Sequence, residues 1–178
     1  MRKFRKHIVL LLGLLILLLS MVISCSQAET TPISESTLIT YTNDDYGYTI
    51  SYPSNWHVQA MSTNETDLLP PQPYRGFIGI YVVENPELPV ERMADGWLIA
   101  MTTIRDDFVQ LDSKRMQGLW DWYLAYDFMT EYGEEFHGET YFKQTDTHLY
   151  KIETAAETPR YDAYTFDKLI PTFKLLSE

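Results

Sequence analysis

Residues 43–58 read NDDYGYTISYPSNWHV, a run of β-branched and aromatic residues that ends at a proline and restarts at a tryptophan. The YTISY segment has the composition of a strand. Pro53 fixes φ directly after it, and the serine and asparagine that follow suit a turn. We expect the chain to return Trp56 toward the core beside Tyr52 or Tyr48. The stretch is therefore interpreted as a structural corner and not as a ligand site.

The spacing of apolar residues predicts the other strands and helices along the chain. Strands alternate with period two, and one long segment repeats every three or four residues, as a core-facing helix does. Gly96 lies within that helical pattern, where glycine costs about 1 kcal/mol relative to alanine. The predicted elements are strands at 38–42, 46–53 and 77–83, a loop at 62–76 with three prolines, a helix at 90–108, a three-stranded meander over 119–153, and a helix from 158 to 171.

The order of these elements is strands, helix, strands, helix. This order is typical of an α+β fold, in which helices cover an antiparallel sheet. We expect a sheet of about six strands. No internal repeat or second linker divides residues 38–178, so they are predicted to form one domain.

The YGYTISYPSNW motif at 46–56 and the closing segment YDAYTFDKLIPTFK at 161–174 resemble the PsbP-like family. This family is named for an extrinsic subunit of photosystem II and includes many bacterial lipoproteins. The resemblance covers nearly all of the predicted domain. It implies an α/β/α sandwich and a role, without enzymatic activity, in binding or assembly at a membrane surface. Photosystem members of the family are associated with calcium and manganese.

The N-terminus has the pattern of a secretory signal. Four cations precede an apolar run at residues 8–19, which is the order of charge and apolar segment that such signals share. The sequence Val22-Ile23-Ser24-Cys25 resembles a bacterial lipobox, which implies cleavage before Cys25 and lipidation of its thiol and new amine. We expect a signal peptide at 1–24, a lipidated Cys25 followed by a polar tether to residue 37, and a PsbP-like domain at 38–178.

The charge balance excludes some partners. The chain has 14 Lys+Arg against 25 Asp+Glu, and removing the four signal cations changes its formal charge from −11 to −15. Nucleic acids and anionic lipid headgroups attract basic patches, so neither is an expected partner of the domain. The lipid at Cys25 is instead expected to hold the protein at the outer face of the cytoplasmic membrane, in the periplasm or at the cell surface, where a membrane protein complex is its expected partner.

The densest cluster of polar residues is EYGEEFHGE at 131–139. On a strand, Glu135, His137 and Glu139 share one face, and carboxylate and imidazole groups are ligands for divalent metals. A solvated hairpin has the same composition, because charges at a sheet edge discourage aggregation. No resident cofactor is predicted. A divalent ion such as calcium or manganese at these three residues is kept as an alternative.

Aromatic residues provide the other candidate site. Tyr123, Tyr141 and Tyr150 are predicted to lie on one sheet face, where a groove for a ligand could form. A hydrolase is the least favoured alternative, because its one candidate dyad is Ser54 with His57 and no GxSxG motif is present. The sequence therefore predicts a binding protein that is not an enzyme, either an assembly factor or a metal- or small-ligand-binding lipoprotein.

Overall fold

A computed structural model of the protein describes residues 36–176. The predicted signal peptide, Cys25 and most of the tether lie outside the described residues. Within them the chain forms ten strands, two α-helices and two 3-10 helices. The strands are β1 (Leu38–Asn43), β2 (Tyr48–Pro53), β3 (His57–Ser62), β4 (Glu65–Leu69), β5 (Phe77–Glu84), β6 (Val109–Arg115), β7 (Trp122–Met129), β8 (Glu135–Gln144), β9 (His148–Glu157) and β10 (Lys174–Leu175). The helices are α1 (Val90–Ile104), a 3-10 helix (Thr158–Tyr164), α2 (Phe166–Leu169) and a second 3-10 helix (Ile170–Thr172).

The strands form two antiparallel sheets. The larger has seven strands in the order β3-β4-β5-β9-β8-β7-β6, and the smaller has three in the order β1-β2-β10. The predicted α+β class is confirmed. The seven-stranded sheet is close to the expected six, but the N-terminal strands separate from it and pair with the C-terminal strand instead.

Each face of the seven-stranded sheet carries its own hydrophobic cluster. On one face, Ile80 and Ile152 pack with Tyr48 and Ile50 of the small sheet and with the C-terminal helices. On the other face, Ala94 of α1 packs in a second cluster with strand residues such as Leu124 and Phe142. The layers are therefore α1, the large sheet, and a mixed layer of small sheet and short helices.

The corner at residues 53–56 is confirmed. Trp56 is 4% exposed, and its backbone N–H donates to the carbonyl of Pro53 at 2.9 Å. Its ring packs edge-to-face against Tyr164 and Phe166, with centroids 6.2 and 6.3 Å away. The aromatic partners thus come from the C-terminal helices, whereas the sequence suggested Tyr52 or Tyr48.

Two predicted segments are corrected. The loop expected at 62–76 contains β4, because Thr66 and Leu68 point into the core while polar residues alternate with them. The continuous helix expected at 158–171 is broken into short pieces, since Thr165 adopts a left-handed backbone with φ of 52°. None of the helices in the described part of the chain has the length and hydropathy needed to cross a membrane.

Candidate functional site

Two tyrosines and a glutamate form a compact cluster on β7 and β8. The register of these strands places Tyr123 opposite Tyr141, and their ring centroids lie 5.2 Å apart. Glu139 precedes Tyr141 by two residues on the same face, opposite the small side chain of Ala125. Both tyrosine hydroxyls donate to its carboxylate, Tyr123 at 2.7 Å and Tyr141 at 2.5 Å. The structure therefore brings together two of the three tyrosines predicted to line a groove.

Burial and a neighbouring carboxylate hold both tyrosines of this cluster in the protonated form. Burial raises the pKa of Tyr123 and of Tyr141 well above the ordinary value, and the adjacent Glu139 carboxylate raises each further. Both phenols therefore stay protonated at neutral pH. Their hydroxyls donate to Glu139.

The third predicted groove residue, Tyr150, is corrected to a core position. It is 4% exposed and packs against Phe173 and Tyr48. Its hydroxyl donates to the carbonyl of Tyr46 at 2.8 Å. Because β9 is central in the sheet and the small sheet lies over this face, Tyr150 joins the two layers instead of lining a surface.

The residues predicted to bind metal share a face of β8 but do not converge. A strand rises about 3.4 Å per residue, so residues 135 and 139 lie about 14 Å apart along β8. His137 Nδ1 is 2.7 Å from Asp127 Oδ1, and both oxygens of Glu139 accept from tyrosines. Within residues 36–176 no group of three or more His, Cys, Asp or Glu side chains is placed to hold a metal ion. Metal binding at Glu135, His137 and Glu139 stays a prediction.

A second candidate site lies between α1 and strands β5 and β9. It is a cavity of about 460 Å³ whose walls are mostly apolar. Sequence reasoning missed it, because β5 and β9 become neighbours only through the sheet topology. The glycine at position 96 was the available signal. The lining residues are Asn64, Tyr81, Val82, Val83, Leu88, Arg92, Met93, Gly96, Trp97, Phe142, Leu149 and Lys151.

No protein-family model matches the sequence, and no curated protein matches it either. Solved structures do match the fold. Cyanobacterial PsbP from Synechocystis superposes with a TM-score of 0.57 at 15% identity, covering 79% of this chain and 93% of that one. LpqN from Mycobacterium tuberculosis gives 0.55 at 9% identity over 78% and 90% of the two chains. The chain has the PsbP-like fold.

Two further matches show how widely this fold is used. The Ran-binding protein Mog1p from Saccharomyces cerevisiae gives a TM-score of 0.58 at 8% identity, covering 79% of this chain and 96% of that one. A longer protein from Bacteroides thetaiotaomicron gives 0.53 at 15% identity, and the chain spans 48% of its length. The PsbP-like fold suggested by the sequence motif is thus confirmed.

The PsbP-like domain also holds a half-buried carboxyl group, that of Asp67. Asp67 lies on β4, and its Oδ1 is buried without a hydrogen-bond partner among residues 36–176. Burial, followed by the like charges of Glu65 and Glu153, raises the pKa of Asp67 to about 6, although Lys151 opposes the shift. The folded domain therefore holds this proton more tightly than the unfolded chain does.

Asp67→Asn is expected to stabilise the PsbP-like domain at pH 7. Because the folded pKa is raised, the contribution of Asp67 to the free energy of unfolding falls as pH rises from about 4 to 6 and stays level above that. The variant should lose this slope and gain about 1 kcal/mol at pH 7, a value reduced for partial exposure. Urea unfolding at pH 4 and pH 7 measures both. Asp106→Asn, an exposed carboxylate after α1, should change neither, and an equal gain at both pH values would contradict the assignment.

Proposed function

We propose that the protein is an extracytoplasmic lipoprotein whose PsbP-like domain works by binding and not by catalysis. Lipid on Cys25 would hold it at the outer face of the cytoplasmic membrane, in the periplasm or at the cell surface. The observation that carries the proposal is the position of Cys25. It is the single cysteine of the 178-residue chain, and it directly follows the signal-like segment and completes the lipobox pattern.

The fold supports the binding part of the proposal. Mog1p is described as a Ran-binding protein, and LpqN as a protein involved in cell envelope biogenesis. LpqN also supports a location in the cell envelope. In the domain itself, both carboxylate oxygens of Glu139 are occupied by internal hydrogen bonds from two tyrosines. A membrane protein complex is the partner class that fits a domain tethered at a membrane surface.

Cys25→Ala is expected to abolish lipid attachment. Without the thiol no acyl chain can be added, and each buried methylene otherwise contributes about 0.8 kcal/mol to membrane binding. Radiolabelled palmitate should enter the wild-type protein and the matched control Ser26→Ala, but not Cys25→Ala. The variant should also keep residues 1–24, which mass spectrometry detects. Label in Cys25→Ala equal to that in the wild type would refute the lipoprotein assignment.

The binding part is tested by purification from solubilised membranes. A tagged wild-type protein should retain a membrane protein complex in a fixed ratio after washing. The same domain fused to a cleavable secretory signal without Cys25 should appear in the soluble fraction. A wild-type protein recovered alone, with no fixed-ratio partner, would count against an assembly role.

A further inference from the structure

Gly96 has no local structural reason to be glycine. It lies in the middle of α1 with ordinary helical backbone, so no positive φ requires it. A Cβ added there would meet no atom within 4 Å, so no close packing requires it either. A glycine at such a position weakens the helix. Because Gly96 has no side chain, the cavity that it lines between α1 and the sheet stays open at this position.

The cavity has the character of a small-molecule site. Its volume of about 460 Å³ falls in the usual range of about 300 to 1,000 Å³ for such sites. Trp97, Phe142 and Leu149 form part of its apolar wall. Leu88 and Val83 also line it and are 51% and 40% exposed, so the apolar surface continues to the rim. A ligand in the cavity would therefore bury apolar surface of α1 on one side and of the sheet on the other.

The charges at the cavity are positive. Among the described residues that line it, the charged ones are Arg92 and Lys151, with no carboxylate. The Lys151 ammonium lies 3.1 Å from Glu153 and 3.9 Å from the Tyr81 ring centroid, so its charge is already offset. The Arg92 side chain makes no ion pair within residues 36–176, whereas the neighbouring Glu91 pairs with Arg115 at 3.0 Å. Asp95 does not line this cavity, although it shares the adjacent surface groove with Arg92.

We propose that this cavity binds a small anionic amphiphile, with its apolar body against Trp97 and Phe142 and its acidic head at Arg92. A guanidinium that makes no ion pair within residues 36–176, beside an apolar cavity, matches the chemistry of a carboxylate or sulfonate on an acyl or aryl body. The chain as a whole is acidic, so the cation at this cavity does not reflect a generally positive surface. The inference goes beyond the proposed function, because it requires neither the lipid nor a protein partner.

The test uses lipid-free residues 26–178, since both hydrophobic clusters lie in the domain. The probe is 8-anilinonaphthalene-1-sulfonate, whose fluorescence rises in an apolar site, and decanoate is the competitor. Gly96→Leu should fill the cavity and weaken probe binding at least about tenfold, a loss of 1.4 kcal/mol. It should keep or raise the melting temperature, because leucine favours helix. Ala100→Leu adds the same side chain one turn later, outside the cavity lining, and should bind as the wild type does.

The charge is tested separately. Arg92→Gln should weaken displacement by decanoate at least about fivefold and leave that by decanol unchanged, while Arg160→Gln should change neither. Equal competition by decanol and decanoate in the wild type would overturn the anionic assignment. Probe binding retained in Gly96→Leu would overturn the site. If the wild type binds no probe and Gly96→Leu instead abolishes a dimer, the cavity is a self-association surface and the proposal is wrong.

Discussion

Gly138→Ala is expected to destabilise the domain by about 3 kcal/mol, because a buried tyrosine occupies the space of the missing side chain. The β7–β8 register sets Gly138 directly opposite Tyr126. A Cβ at position 138 would lie 2.5 Å from a carbon of the Tyr126 ring. That ring is 1% exposed and stacks on Phe108 with centroids 5.0 Å apart. It therefore has no room to move aside.

The hydroxyl of Tyr126 adds to the cost. It donates to Glu153 Oε1 at 3.0 Å, and displacing the ring leaves this half-buried carboxylate without that donor. Guanidinium unfolding followed by far-UV circular dichroism measures the loss. In a Tyr126→Ser background Gly138→Ala should cost less than about 1 kcal/mol, since the obstructing ring is gone. Gly96→Ala is the matched control, which should be stabilising. A similar cost in both backgrounds would show that the tyrosine is not the cause.

Trp56→Ala is expected to cost about 3 to 5 kcal/mol of unfolding free energy, the range for truncating a buried large aromatic side chain. The corner at Pro53 holds the Trp56 ring edge-to-face against the stacked rings of Tyr164 and Phe166, so its removal leaves a cavity between this corner and the C-terminal helices. Urea unfolding gives the midpoint and slope. A cost below about 1 kcal/mol would mean that the corner does not anchor these helices.

Trp56→Phe separates packing from hydrogen bonding. Trp56 Nε1 is buried with no acceptor among the described residues, so the indole N–H contributes no bond that phenylalanine would lose. We expect Trp56→Phe to cost about 1 to 2 kcal/mol, much less than alanine does. Equal losses for the two variants would indicate that the indole makes a hydrogen bond after all.

Strong periodic segments allowed much of the fold to be predicted. Strand β5, helix α1 and the β7–β9 meander follow from apolar residues whose spacing matches the observed faces. Strand β4 was missed because Glu65 and Asp67, which alternate with the core residues Thr66 and Leu68, have low strand propensity and prolines follow directly. The break at Thr165 was also missed, since a β-branched residue rarely adopts a left-handed backbone and gives no local sign of it.

The candidate sites depended on contacts that no local pattern contains. The spacing of Tyr141 and Glu139 on one strand was visible, but their bonds with Tyr123 depend on the β7–β8 register. Tyr150 has the same alternation as Tyr141, yet the small sheet covers it. The α1 cavity is formed only when the helix packs on the sheet, since both supply its lining residues. Gly96 was the one local sign of it, as a residue unfavourable to the helix that contains it.

The pairing of β10 with β2 has a consequence for the order in which the protein is made. Thr172 Oγ1 accepts from the backbone N–H of Ser51, a residue 121 positions earlier, and β10 then completes the smaller sheet. Strand β2 therefore cannot pair with β10 until the last strand has been synthesised. Contacts so distant in sequence slow folding. The smaller sheet should therefore be completed only after β10 has left the ribosome.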